Sequence, residues 1–345
     1  MKALMLKAYG QLEVQDVPPP GVGPRDVLVR VMACGICGSD VHGMDGSTGR
    51  RIPPIVMGHE AAGLVERVGA HVTSFAAGDR VTFDSTIYNP ESFFSRRGLV
   101  NLCDDRRVLG VSCEDYRQDG AFAELVAVPS HILYSLPPGM TFEQAAMVEP
   151  VSIAVHARNL TPIEGGDIAL VFGTGLIGLM MVQVLRHSAV ARIVAVDVDP
   201  GRLALATELG ADHVLNSAAA DVAAAVRALT EGRGADVAFE AVGLEATVRA
   251  AVLAVRKGGS VTLIGNLAKD VSLPLQAVVT RQIRLQGSCA SNGEYPECLE
   301  LIASGKVNVD RFISAIAPLE EGPRWFDRLH RREPGLLKVL LKPNP

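Results

Sequence analysis

The chain has 345 residues, of which 48% are apolar and 21% charged, with a formal net charge of -5. That length favours two domains, and the composition is that of a folded globular protein rather than a disordered one. The charge is spread without any block of Lys or Arg, which argues against a nucleic-acid footprint.

The opening "MKALMLKAYGQLEVQDVPPP" carries charges inside its apolar stretch and has no small-residue cleavage site, so it does not read as a signal peptide. The longest apolar run, "IALVFGTGLIGLMMVQVL" from 168 to 185, is broken by glycines and reads as strand, turn and buried helix, not a membrane span. A cytoplasmic location is expected. Six cysteines without an export signal suggest thiols or metal ligands more than disulfides.

From residue 1 to about 140 short strand-like runs recur, among them "DVLVRVMA", "AAGLVERVG", "DRVTF" and "FAELVAVP", each bounded by Gly, Pro or Asp. They predict a compact antiparallel β domain. From about 150 strand-length apolar runs alternate with helical ones, as in "RIVAVD" then "PGRLALATELG" and "ADVAFEAVG" then a helix over "EATVRAAVLAVRKGG". This alternation predicts a doubly wound parallel sheet covered on both faces. The tail from about 290 contributes a helix and a strand, "LLKVLLKP", but no third domain.

Gly173, Gly175 and Gly178 stand in GxGxxG spacing between a strand and a helix. A tight turn, close backbone approach to a pyrophosphate and close helix packing each need a glycine there. Asp197 ends the next strand, where a carboxylate can hold a ribose 2'-hydroxyl and would repel a 2'-phosphate, so NAD is favoured over NADP. Arg202 could pair with a phosphate, stack on adenine or simply be a solvated helix-start residue.

"ACGICGSDVHG", residues 33–43, holds Cys34 and Cys37 in a CxxC pair; the β-rich setting argues against a thioredoxin-like redox role. Farther on lie His59 and Glu60 in "GHEAAG", and Glu149 in "MVEP". Thiolate, imidazole and carboxylate are zinc donors, and three protein ligands with an open position make a catalytic site. Cys34 reads as packing, and Asp40 either as the acceptor for the free ring N–H of His59 or as a turn-forming residue of "GSD".

In order and spacing, "CGICGSDVH", "GHEAAGLVERVG", "GDRV", "DGAFAEL", "EP" and "FGTGLIGL" resemble the zinc-dependent medium-chain dehydrogenase/reductase family, closest to its polyol branch. The resemblance implies a GroES-like β-rich catalytic domain over 1–149, completed by 290–345, and a Rossmann NAD-binding domain over 150–289. It implies one catalytic zinc on Cys37, His59 and Glu60, with Glu149 binding directly or through water. It adds Leu176, Ile177, Ile264, Gly265 and Asn266 to the cofactor contacts, and a proton relay from the alcohol through Ser39 and the cofactor ribose to His42, although His42 also reads as a surface residue.

The implied activity is NAD-linked oxidation of a secondary alcohol of a polyol; an amino alcohol or a phosphorylated alditol is the alternative. A relative without alcohol chemistry would lack the Cys, His, Glu set. Sorbitol-type enzymes carry a tyrosine and an arginine where this chain has Gly43 and Ala290, so glucitol specificity does not transfer. Arg50 and Arg51 could meet a substrate phosphate or carboxylate, but read first as solvated loop charges.

The four places of the family's second, structural zinc hold Asn89, Ser92, Ser95 and Cys103, too few thiolates to close a site. The lobe is therefore expected to be metal-free and held by packing of Phe93, Phe94 and Leu99. Nothing suggests a membrane or nucleic-acid partner, and an uncovered edge of the nucleotide-binding sheet suggests a homodimer or homotetramer.

Overall fold

The computed structural model describes residues 1–344. Its contacts divide the chain into two compact units, one formed by 1–149 with the tail from 291, the other by 150–290.

The first unit is built on a seven-stranded sheet. Strand Asp26–Gly35 sits in its middle, with Glu60–Val68 antiparallel on one side and, on the other, Lys338–Lys342 and Leu125–Pro129 taking different parts of its length. The pairing of Leu340 with Gly35 and Leu341 with Cys34 docks the tail against the segment that precedes the Cys37 loop. Valines of the central strand, with Phe83, Phe122, Phe326, Val339 and Leu341, fill the core beneath. Val27, Val29 and Val31 alternate at period two, and the buried runs Val27–Val29 and Ala33–Gly35 show both faces of the strand covered toward its ends.

The second unit is an all-parallel six-stranded sheet, ordered His213–Asn216, Arg192–Asp197, Ile168–Phe172, Ala235–Glu240, Val255–Leu263, Arg284–Gly287. The chain reverses direction across the sheet between Ile168–Phe172 and Ala235–Glu240, and ligands of such sheets bind beyond the carboxyl ends of the strands at that point. One expected element is shorter: the helix over "EATVRAAVLAVRKGG" ends at Ala254, and Val255–Leu263 is already strand. Val255 pairs with Ala235, and after a register shift Ser260–Leu263 pair with Val237–Glu240, so β pairing outweighs the helical periodicity there.

Candidate functional site: a Cys–His–Glu metal centre and a dinucleotide turn

Strand Asp26–Gly35 delivers the loop that carries Cys37, and a short helix Gly38–Gly43 follows at once. Strand Glu60–Val68 begins at Glu60, immediately after His59. Because the two strands pair with Gly35 opposite Glu60, residues far apart in sequence meet at one sheet end. One donor atom from each of Cys37, His59 and Glu60 lies within 4.8 Å of the others. That is close to the span a single ion with bond lengths of about 2.0–2.3 Å bridges, and sulfur, nitrogen and oxygen together suit zinc.

Around this set the charges are arranged in pairs. Asp40 is fully buried, its Oδ1 3.5 Å from His59 Nδ1 and its Oδ2 accepting from the Cys37 backbone N–H at 3.3 Å. With Nδ1 turned to Asp40, Nε2 is the ring nitrogen left for a cation. Burial alone would raise Asp40's pKa, but His59 and Arg51 hold it far below the carboxylate range. Burial would likewise lower that of His59, yet Asp40 and then Cys37 raise it well above an ordinary imidazole. Glu60, equally buried, forms an ion pair with Lys338, whose Nζ also donates to the Ile36 carbonyl at 3.0 Å. A carboxylate engaged at Oε2 still has Oε1 to offer. Burial, the largest influence, disfavours the charged form of Lys338, but Glu60, Cys37 and Glu149 together raise its pKa.

Glu149 lies near the start of helix Val148–Leu160, outside the three-donor cluster, and its Oε1 accepts from Ser85 Oγ at 3.1 Å. Burial pushes its carboxyl pKa up, helped by Glu60 and Asp84 and opposed by His59 and Ser85. Ser39 is exposed and His42 half-buried, three residues apart on the short helix and so on one face. Cys34 is fully buried, and burial raises its thiol pKa, the reverse of a reactive thiolate.

Two expectations change. Arg50 is exposed as predicted, but Arg51 is 4% exposed and pairs with Asp40 at 2.9 Å, so it is not a solvated loop charge. In the lobe, Phe93 and Leu99 are exposed, 51% and 39%, while Phe94 is half-buried and meets the Phe93 ring edge to face at 5.1 Å, so packing is limited to that pair. Polar contacts tie the rest together. Cys103 Sγ accepts from the Asn89 N–H at 3.3 Å, Ser92 and Ser95 hydrogen-bond each other at 2.9 Å, and bonds from both hydroxyls lower the Cys103 pKa against the effect of burial. The four positions converge although three lack thiols.

In the second unit Gly173 has φ +86°, and a Cβ on Gly178 would fall 1.7 Å from the Gly173 carbonyl oxygen, so the turn and the helix contact both demand glycine. Gly175 caps helix Leu176–Arg186, which starts with Leu176 and Ile177 half-buried. Ile264 and Gly265 donate to the Glu240 carbonyl, which sets them and the next residue, Asn266, at the same carboxyl end of the sheet. Asp197 is more occupied than its sequence position suggests. Oδ2 accepts from Thr174 N–H at 2.6 Å and Thr174 Oγ1 at 2.9 Å, and Oδ1 from the N–H groups of Val198 and Asp199. All four of its acceptor directions are taken within the chain, so any further donor would have to share or displace the Thr174 hydroxyl. Arg202, half exposed, sits 4.0 Å from Asp199.

Sequence reading missed Lys338, Ser85 and Thr174. A signal existed for the first: a lysine that a buried, continuous apolar strand forces inside needs a carboxylate there.

Residues 23–138 match the family of the alcohol dehydrogenase GroES-like domain and 177–304 that of zinc-binding dehydrogenases. The chain is 30% identical over 349 residues to sorbitol dehydrogenase of Bacillus subtilis, covering 100% of this chain and 98% of that one. It is 36% identical over 319 residues to L-idonate 5-dehydrogenase of Vitis vinifera, covering 90% and 86%. A zinc-binding dehydrogenase of Sinorhizobium meliloti 1021, whose crystal structure holds NADP, superposes with a TM-score of 0.90 at 31% identity over 99% of each chain. Likeness of that extent, carried through both units and centred on a donor set suited to zinc, leaves one assignment: the chain belongs to the zinc-dependent medium-chain dehydrogenase/reductase family.

Proposed function

We propose that this protein reversibly oxidises a secondary hydroxyl of a polyol to a ketone, with one zinc held by Cys37, His59 and Glu60, Glu149 as an auxiliary carboxylate, and NAD on the Gly173–Gly178 turn. The observation that carries the reading is the convergence of thiol, imidazole and carboxylate at one sheet end. The first unit would supply metal and proton handling and the second the dinucleotide.

Zinc in that set supplies a Lewis acid that acidifies a hydroxyl, and the nicotinamide supplies the hydride acceptor. The residues do the rest. Asp40 keeps His59 in the tautomer that presents Nε2. Lys338 balances the Glu60 charge where both side chains are only 1% exposed. Ser39 takes the proton of the reacting hydroxyl, and His42, one turn further along, carries it toward solvent. Asp197 supports NAD over NADP by charge, even with its oxygens engaged by Thr174.

Polyol dehydrogenases among the relatives support a sugar alcohol as substrate, while D-arabitol-phosphate dehydrogenase of Enterococcus avium, 33% identical over 342 residues, keeps a phosphorylated alditol as the second reading. NADH formation followed by absorbance across alditols, cyclitols, L-threonine and sugar phosphates tests the choice. Turnover of none of them refutes it. About one zinc per chain is expected, and none after reconstitution refutes the metal assignment.

No described helix is long and apolar enough to cross a membrane. A cytoplasmic homodimer or homotetramer is the proposed state. The edge strand Arg284–Gly287, with exposed Leu275 and Val279 just before it, would be covered by a second copy.

A further inference from the structure

The loop after helix Gly38–Gly43 runs through solvent: Asp45, Ser47, Thr48, Gly49 and Arg50 are all exposed. Arg51 breaks that run, for its guanidinium turns inward and is 4% exposed. Its Nε and Nη2 donate to Asp40 Oδ1 at 3.2 and 2.9 Å, its Nη2 also to Ser39 Oγ at 3.3 Å, and its Nη1 to its neighbour's carbonyl at 3.0 Å. Asp40 in turn faces His59 and receives the Cys37 N–H. One guanidinium thus touches both the carboxylate that orients two proposed metal ligands and the hydroxyl proposed to receive the substrate proton.

The space for it is made at Gly43. A Cβ there would lie 2.3 Å from Arg51 Cγ, 3.1 Å from Arg51 Cβ and 3.4 Å from Thr48 Oγ1. Gly43 has an ordinary φ, so the missing side chain reflects packing and not backbone conformation. The arginine stem occupies the volume that any side chain at 43 would need.

We infer that Arg51 is a positioning residue, seated over Gly43, which clamps Asp40 and sets the direction of the Ser39 hydroxyl. A guanidinium only donates. Ser39 Oγ must therefore accept from Arg51, leaving its own hydrogen free to be passed outward and its other lone pair open to the reacting hydroxyl. Nε and Nη2 converge on Asp40 Oδ1 while Nη2 also reaches Ser39 Oγ, a planar array of fixed donors that a compact ammonium lacks.

The catalytic half of this inference rests on the proposed function; the packing half does not. The test therefore uses the full chain as wild type, Gly43→Ala, Arg51→Ala and the double variant, with thermal unfolding and Co(II) binding measured on each. Gly43→Ala should lower Tm in the presence of Arg51 and have little effect once Arg51 is Ala. Arg51→Ala should weaken Co(II) binding about 10- to 100-fold, the usual consequence of losing a group that orients a metal ligand. Added guanidinium ion should restore much of that loss, and Arg51→Lys should restore less.

With a turned-over alcohol in hand, Arg51→Ala should lower kcat and leave KM nearly unchanged. Additive Tm losses in the double variant overturn the shared-space claim, and Co(II) affinity unchanged in Arg51→Ala overturns the clamp. If wild type oxidises no alcohol in the panel while the cycle is non-additive and Co(II) binding falls, the proposed substrate class fails and the clamp stands.

Discussion

Replacing Lys338 by Met keeps the length of the side chain and removes its charge, leaving the Glu60 carboxylate without a partner at 1% exposure. Breaking a buried ion pair from one side costs about 3–5 kcal/mol, because the remaining charge stays desolvated and uncompensated. The lost donation to the Ile36 carbonyl adds about 1 kcal/mol. The first unit has about 200 residues, for which each kcal/mol moves Tm by about 2–4 °C, so metal-free Lys338→Met should melt about 8–24 °C lower. Glu60 raises the lysine pKa in the folded state, so the pair's contribution is complete below the unfolded lysine value of about 10.4 and fades only as pH rises through the folded one. A measurement at pH 7.5 lies inside that window. Circular dichroism melts in chelator and with one equivalent of zinc provide the assay. The penalty should shrink when zinc takes over the Glu60 charge, and Lys338→Met with Glu60→Gln should recover part of the metal-free loss. A metal-free decrease under about 2 °C would refute the view that Lys338 holds a buried charge in place.

Asp84 is buried, accepts from the Thr86 N–H and from Ser291 Oγ, and burial pushes its pKa up to about 6. Its raised value means that the protonated form favours folding below the unfolded carboxyl pKa and that this stability is lost as pH rises through about 6. Asp84→Asn should therefore raise Tm at pH 7.5, by an amount worth at most about 3 kcal/mol, and bring little at pH 4; thermal melts at the two pH values check the sign. Gly178→Ala forces a Cβ onto the Gly173 carbonyl, should cost about 1–3 kcal/mol of stability, and should weaken NADH binding in a fluorescence titration. Asn89→Cys, Ser92→Cys and Ser95→Cys together complete a four-thiolate set with Cys103 and should raise the zinc content by one ion per chain, measured by atomic absorption.

The glycine turn, Asp197 at the end of the next strand and the grouping of Cys37, His59 and Glu60, proposed to hold a metal, were all legible in sequence. Each depends on residues close together in the chain, or on residue types that only metal or phosphate chemistry brings into such spacing. Arg51 was misread because a run of exposed loop residues gives no sign that one of them turns inward. The lobe was misread for a related reason. Aromatic residues at Phe93 and Phe94 suggest packing, and whether a ring is covered depends on what lies above it.

By itself the sequence determined the two architectures, through a period-two pattern followed by alternating strand and helix, and the chemistry of the donor set, through local motifs. Only the tertiary structure decided which charges neutralise one another. Lys338 reaches Glu60 across 278 positions because the tail strand pairs with the strand that leads to Cys37, and Arg51 reaches Asp40 because Gly43 leaves it room. A buried charge takes its partner from whatever the register of the sheet and the shape of the packing place beside it, and neither is written in the spacing of one segment.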